Sequence, residues 1–476
     1  MFDTKQYIEN LLKSNHIEVS ANRQKLFEQY VNEEFNIDAV KLIREKQKIM
    51  IDKWDLKNKI EDILAKQIII PNATISKSYY TAFDFNQLGF NDITNVEFEG
   101  LDQYGLSFNP TLNVIDGDPS QSGDFKIKMK FNVLGEEENV MPHEKMLSLV
   151  INANPKSLWK NIASDEGKDE EWKIANYWKE DNENDFQLLG DKHIVVASKR
   201  GRSHANVGSF RDDDYAFKHF ENNGWSVVCM ADGAGSAKLA RQGSKIACEA
   251  VIEYFENNLE EEKLKEFDKI LYNYHNTIGE DASKKISHFV YNNLSKAAQF
   301  AHHKIEAFAE VTENPLKDFH TTLIFALFKK YDFGYAILTF GVGDCPIGLL
   351  NKDLTNIKLM NWLDVGEFGG GTRFITMPEI FTSDKFSTRF SFTLIEDFSY
   401  LMLMTDGIYD AKFVVEANLE KLENWKAFVE DIKGRNEDGA VVTLASSNNE
   451  IANQLSAWMD FWSPGNHDDR TLAIIF

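Results

Sequence analysis

The sequence predicts a multidomain chain: an N-terminal helical region, an all-β sandwich, an acidic linker and a C-terminal α+β sandwich. Three observations predict it. At 476 residues the chain is too long for one ordinary core. Its hydrophobic periodicity changes along the sequence, from helical, to strictly alternating, to mixed. Its 43% apolar and 27% charged residues match folded, soluble protein, with 35 Phe and 9 Trp as core material.

Residues 1–66 hold Lys, Glu, Ile and Leu without Pro or Gly. Tyr7, Ile8, Leu11 and Leu12 recur at helical spacing, as do Val40, Leu42, Ile43 and Ile49, which predicts two or three helices. Residues 67–153 break into short runs between turn residues, with Phe125, Ile127, Met129 and Phe131 alternating, as strands of a small β-sandwich require. Residues 154–191 are polar and acidic and read as a linker, with Trp172 and Trp178 as points of attachment. In residues 192–476, IVVAS, WSVVCMAD, TTLIFALF, GYAILTFG and YLMLMTDG read as buried strands. Helical patterns cover 238–257, 282–309, 413–432 and 450–461. Strands in pairs followed by helices in pairs predict α+β layers rather than β-α alternation.

A formal charge of −23 excludes a broad nucleic-acid footprint and electrostatic docking on an anionic membrane. It does favour divalent cations, although solubility alone explains it equally well. Cys229, Cys248 and Cys345 form no CxxC pair and read as reduced thiols. The N-terminal stretch has no signal-peptide apolar segment, and no run approaches the roughly 18 to 20 apolar residues of a membrane span. The expected location is the cytoplasm.

The informative feature is where Asp falls relative to the strands. Asp232 ends WSVVCMAD before Gly233, and Asp406 follows YLMLMT before Gly407. Asp344 follows GYAILTFG, Asp468 and Asp469 precede TLAIIF, and Asp212, Asp213 and Asp214 precede YAF. One Asp-Gly pair is a turn signal. Five acidic sites at strand ends, if their rims converge, repel unless a cation lies between them. Oxygen ligands without His or Cys select Mg²⁺ or Mn²⁺. Two such ions about 4 Å apart would activate a water for in-line attack on phosphorus.

Six motifs in order, RDDDYAF, VVCMADGAGSAKLARQGS, FHTTLIFAL, FGVGDCPIGLL, LMTDGIYD and HDDRTLAII, resemble those of the metal-dependent type 2C protein serine/threonine phosphatases. GEFGGGTRFIT is similar to the flap segment of a bacterial subgroup. The resemblance implies a four-layer α-β-β-α phosphatase sandwich over 192–476. It implies that Asp232 bridges two core Mn²⁺ or Mg²⁺ ions, that the Gly233 carbonyl binds one, and that Asp406 and Asp468 complete the core. Asp213 would orient the attacking water, with Asp212 or Asp214 as alternatives in the three-Asp run. Asp344 and Asp410 would hold a third ion. GLSFNP and LNVIDGDPSQSGDFKIKMKF resemble immunoglobulin-like modules of bacterial multidomain proteins, implying a binding or spacing role for 67–153.

Two departures stand out. The His that eukaryotic members carry after the metal-binding Asp-Gly is Ala234 here. The phosphate-binding Arg is out of register, with Arg202, His204 and Arg211 nearby, and His204 is the candidate substrate-binding residue. For His204 the alternative is a capping or surface histidine, and for Arg211 a solvated charge. His302 and His303 read as surface histidines, Cys345 has no evident base, and Gly369–Gly371 reads as a flap loop. The function implied is hydrolysis of phosphoserine or phosphothreonine on proteins by metal-activated water, with no covalent intermediate, opposing a bacterial Ser/Thr kinase. The resemblance extends to gene sets that pair such phosphatases with a kinase and a von Willebrand-type domain protein. Two rivals stand: a pseudophosphatase that binds phosphoprotein or regulates a kinase, and a metal-dependent hydrolase of a small phosphoester or nucleotide.

Overall fold

A computed structural model describes residues 4–164, 177–276, 280–364 and 371–476. The first five residues of the flap segment, with Gly369 and Gly370, and the centre of the acidic linker, with Trp172, lie outside the described residues. The chain divides into two compact units, Met1–Leu158 and Trp159–Phe476. No described helix is long and apolar enough to cross a membrane.

In the first unit, helices α1 (Thr4–Ser14), α2 (Gln24–Val31) and α3 (Glu34–Ala65) meet over Ile8, Phe27, Val31 and Val40. Leu11, Leu42, Ile43 and Ile49 of the expected apolar stripes are exposed instead. The cause is length: at about 1.5 Å per residue α3 far outruns its two short partners. Seven strands follow: β1 (Ala73–Thr74), β2 (Tyr79–Ala82), β3 (Ile93–Glu99), β4 (Leu106–Asn109), β5 (Val114–Gly117), β6 (Gly123–Val133) and β7 (His143–Asn152). They form sheets of order β1-β7-β6-β3 and β2-β5-β4 that contribute to one core. Within it the alternation of β6 buries Ile127, Met129 and Phe131.

The described strands and helices of the second unit start with β8 (Asn182–Leu189), β9 (Lys192–Lys199), α4 (Arg202–Val207), β10 (Asp214–Phe220) and β11 (Trp225–Ala231). Helices α5 (Ala240–Asn258), α6 (Glu261–Asn276) and α7 (Glu280–Val311) follow, then β12 (Leu323–Tyr331), β13 (Gly334–Val342), β14 (Ile347–Asn351) and β15 (Ile357–Leu359). After α8 (Glu379–Thr382) come β16 (Phe390–Ile395), β17 (Phe398–Met404), α9 (Asp406–Phe413), α10 (Leu422–Ile432), α11 (Ile451–Trp458) and β18 (Arg470–Ile475). The expected linker over 154–191 needs correction, because β8 pairs with β9 along its whole length. It is the edge strand of its sheet, so its open face stays polar and the apolar alternation that would announce a strand is diluted.

Two antiparallel sheets, β10-β11-β12-β13-β16 and β15-β14-β17-β18-β9-β8, share an apolar layer of Ile194, Val196, Val228, Met230, Ile324 and Ile347. The opposite face of the first sheet, through Val227, Cys229 and Phe325, packs on α5, α6 and α7. The opposite face of the second, through Val195, Met402 and Ile474, packs on α9, α10 and α11. Consecutive residues of β9 and β11 therefore serve different layers, which is why these strands read as unbroken apolar runs. The result is a four-layer α-β-β-α unit.

The second sheet and its helices fit closely. A Cβ added at Gly348 of β14 would stand 2.2 Å from the Trp425 ring, and Trp425 is fully buried. Gly348→Ala should destabilise the unit by about 1–3 kcal/mol through overpacking. This would be read as a lowered thermal midpoint of the full chain, with Gly439→Ala, where a Cβ meets nothing within 4 Å but φ is +64°, costing less.

Candidate metal centre

Antiparallel register brings the acidic residues to one rim of each sheet. Asp214 at the start of β10 pairs with Ala231 at the end of β11, so the three-Asp run lies beside Asp232. Leu323 pairs with Val342, which places the end of β13, and Asp344 beyond it, at the same rim. In the second sheet Met404 pairs with Leu472, and Arg470 with Lys199. That sets Asp406, Asp468, Asp469 and the segment after β9 side by side.

The two rims are joined by hydroxyls. Asp213, 1% exposed, accepts hydrogen bonds on Oδ2 from Thr405 Oγ1 (2.9 Å) and Thr471 Oγ1 (2.7 Å), both from the second sheet. Asp232 is held on its backbone: its N–H donates to Thr322 Oγ1 (2.9 Å), and its carbonyl accepts from Thr321 Oγ1 (2.9 Å). Asp469 Oδ2 accepts from the Asp212 N–H (2.5 Å), and its Oδ1 from the Gly201 N–H (2.6 Å). The glycines are dictated by contact. A Cβ at Gly233 would lie 2.7 Å from the Asp212 carbonyl oxygen, and one at Gly407 only 1.9 Å from that of Asp469.

Burial, reinforced for most of them by mutual repulsion, raises Asp232, Asp213, Asp406, Asp344, Asp468 and Asp410. Asp232 is pushed well up by burial and then by Asp406, Asp213, Asp468 and Asp344. Asp213 is raised by burial and Asp469, and Asp406 reaches about 8 through burial and Asp468. Asp344, Asp410 and Asp468 are raised, each chiefly by burial. Asp406 lies within hydrogen-bonding reach of Asp232, and its buried Oδ1 has no hydrogen-bond partner among the described residues. A buried carboxylate oxygen without a donor, among like charges, requires a proton or a cation. An all-oxygen donor set fits Mg²⁺ or Mn²⁺, and Asp232, Asp406 and Asp468 are the residues that would hold them.

The protein phosphatase 2C family matches residues 200–459 of this sequence, over half the chain, from before the three-Asp run to beyond Asp410 and ending short of Asp468. The chain belongs to the protein phosphatase 2C family. No curated protein sequence matches it. Among solved structures, serine/threonine phosphatase Stp1 from Staphylococcus aureus is 12% identical with a TM-score of 0.34, covering 61% of this chain and 95% of its own. The S. agalactiae serine/threonine phosphatase is 13% identical with a TM-score of 0.34, covering 60% and 99%. The catalytic domain of phosphatase PstP, in complex with two manganese ions, is 14% identical with a TM-score of 0.34, covering 59% and 96%.

The three-Asp run of this phosphatase 2C unit divides by environment. Asp213 points into the threonine pair. Asp212 lies 3.7 Å from His204 Nε2, and burial raises it to about 7. Asp214 turns away to Lys179, 2.9 Å distant. Asp344 accepts from Thr372 Oγ1 (2.8 Å), and the charge of Asp410 reaches both Asp344 and Asp406. His204 Nδ1 stands 3.0 Å from Asp469 Oδ2. Burial works against its charge, but Asp469 and then Asp212 outweigh it and raise the imidazolium to about 10. Asp469 falls below the usual carboxylate range in spite of burial, chiefly through His204.

Three expectations change. Arg211 is not a solvated charge: it is fully buried, with Nη2 2.6 Å from Glu183 and Nε donating to the Glu180 carbonyl. Arg202 donates to the carbonyls of Asp460 (2.7 Å) and Phe461 (3.1 Å) and stacks over Trp462, so it braces the loop before Asp468. His302 is 4% exposed, not superficial, and its Nδ1 donates to the Ile375 carbonyl, because the C-terminal end of the flap segment covers this part of α7. His303 is exposed, and Glu306 brings the three within 4.8 Å of one another, but its Nδ1 already faces Glu306. Cys345 is buried, and its thiol is raised by burial, opposite to an activated nucleophile.

If the carboxylates bind cations, Mn²⁺ at a hundred times its Kd should stabilise the full chain by about 2.7 kcal/mol per site. The check is the thermal midpoint with Mn²⁺ and with EDTA. Asp232→Asn should lose most of the Mn²⁺-dependent increase.

Proposed function

We propose that the C-terminal unit is a metal-dependent protein phosphatase that hydrolyses phosphoserine and phosphothreonine without a covalent intermediate. The observation that carries this reading is the half-buried Asp232–Asp406 pair, whose buried Asp406 Oδ1 has no partner among the described residues, in a chain of the protein phosphatase 2C family. When bound, Mn²⁺ or Mg²⁺ supplies positive charge to the phosphoryl oxygens and lowers the pKa of water.

The chain's own groups supply position. Thr405 and Thr471 fix Asp213, Thr321 and Thr322 fix Asp232, and Asp469 ties the Gly201 and Asp212 backbones to the second sheet. Since Arg202 and Arg211 are engaged elsewhere, His204 is the cation read as contacting the phosphate. Held protonated by Asp469, it can donate Nε2–H, a charge-assisted hydrogen bond. Asp344 and Asp410 are read as a looser third metal site. A pseudophosphatase is disfavoured, since every ligand position remains acidic. The two sheets of the first unit are read as the immunoglobulin-like module, serving binding or spacing. A Ser/Thr kinase and a von Willebrand-type domain protein are the partners that the resemblance suggests, in the cytoplasm.

The test is phosphate release from a phosphothreonine peptide and from nucleotides. Release from the peptide should require Mn²⁺, stop with EDTA and fall at least about a hundredfold in Asp406→Asn. Absence of metal-dependent turnover on any substrate would refute the enzyme reading, and turnover on nucleotides alone would favour a small-phosphoester hydrolase. Separately, His204→Ala should lower kcat/KM for the peptide by roughly ten- to a hundredfold, the worth of one hydrogen bond to a charged group.

A further inference from the structure

Lys179 is 5% exposed, a rare setting for an ammonium group, and it lies before the stretch that matches the family. Its Nζ sits 2.9 Å from Asp214 Oδ2 and donates to the Asp213 carbonyl (2.8 Å), the Arg241 carbonyl (3.1 Å) and Ser244 Oγ (3.1 Å). Ser244 Oγ in turn donates to the Asp212 carbonyl (2.5 Å). Lys179 and Ser244 thus hold all three residues of the Asp run, Asp212 and Asp213 by their carbonyls and Asp214 by its carboxylate. The neighbouring chain is pinned independently, by Arg241 Nε on the Tyr177 carbonyl, Arg211 on Glu180 and Glu183, and Arg200 on Asp181 (3.0 Å).

We propose that Lys179 is a positioning residue of the metal centre: it draws Asp214 away from the cluster and fixes the backbone turn that aims Asp212 and Asp213 into it. The inference rests on the phosphatase reading above. Without the cation, the Asp213 carbonyl loses a charged donor and the buried Asp214 loses its ion-pair partner. A second-layer contact of this kind is worth roughly ten- to a hundredfold in metal affinity.

The experiment measures Mn²⁺ binding to the full chain by calorimetry, together with kcat and KM on a phosphothreonine peptide. Lys179→Met is paired with the double variant Lys179→Met/Asp214→Asn, which leaves no buried unpaired carboxylate and keeps the test open if the single variant does not fold. Each folded variant should bind Mn²⁺ at least about tenfold more weakly, with a parallel loss of kcat and little change in KM. Lys179→Arg should recover part of both. Asp181→Asn, which loosens the same chain without touching the run, should leave Mn²⁺ affinity within about twofold. Wild-type affinity in the folded Lys179 variants, or an equal loss in Asp181→Asn, would overturn the inference. Absence of Mn²⁺ binding in the unaltered chain would instead overturn the phosphatase reading, and is seen before any variant is compared.

Discussion

The second unit depends on one constraint: several carboxylates are held close together at the junction of two sheets, mostly out of water. Folding alone does not favour this. Burial raises Asp232, Asp213 and Asp406, and each raises its neighbours further. Three apolar layers hold the sheets in place around that repulsion, and threonine hydroxyls crossing from one sheet to the other fix the carboxylates. Cores of this size are stable enough to carry a rim that is, by itself, destabilising. A divalent cation held there would convert the same repulsion into binding free energy.

The hydrogen bonds divide the labour. Groups read as facing the ions are the ones left under-satisfied, as Asp406 Oδ1 shows. Groups one step back are saturated: Asp469 accepts from two backbone N–H groups and faces His204, and Asp213 accepts from two threonines. Charges further out are turned inward as braces, Arg211 toward Glu183 and Arg202 toward the loop before Asp468. His204, 3.0 Å from Asp469 and 3.7 Å from Asp212, is the cation proposed for the phosphate, where the family resemblance assigns an arginine.

Much of this was legible in the sequence because it depends on period and punctuation. Runs such as WSVVCMAD are apolar throughout since both faces of each sheet are covered, and Asp-Gly pairs mark where the strands stop. The strands and the acidic sites at their ends followed from that, while the four layers and the gathering of those sites were what the family resemblance implied. Other features were not legible, for physical reasons. β8 is an edge strand whose polar face hides its alternation, so it read as linker. The isolated apolar stripes of α3 promised burial that its short partners cannot provide. Arg211 and His302 looked superficial because nothing local shows that distant chain folds over them. Thr405 and Thr471 stood in recognised motifs, but their bond to Asp213 spans 192 and 258 residues and no spacing rule reveals it.

The central claim is that this carboxylate rim is a two-ion metal centre. Its most direct test is anomalous diffraction at the manganese edge from crystals of the chain grown with Mn²⁺. Two adjacent peaks within coordination distance of Asp232, with Asp406 and Asp468 as further ligands, are the predicted result. A map with no anomalous peak at these carboxylates, at saturating Mn²⁺, would contradict it.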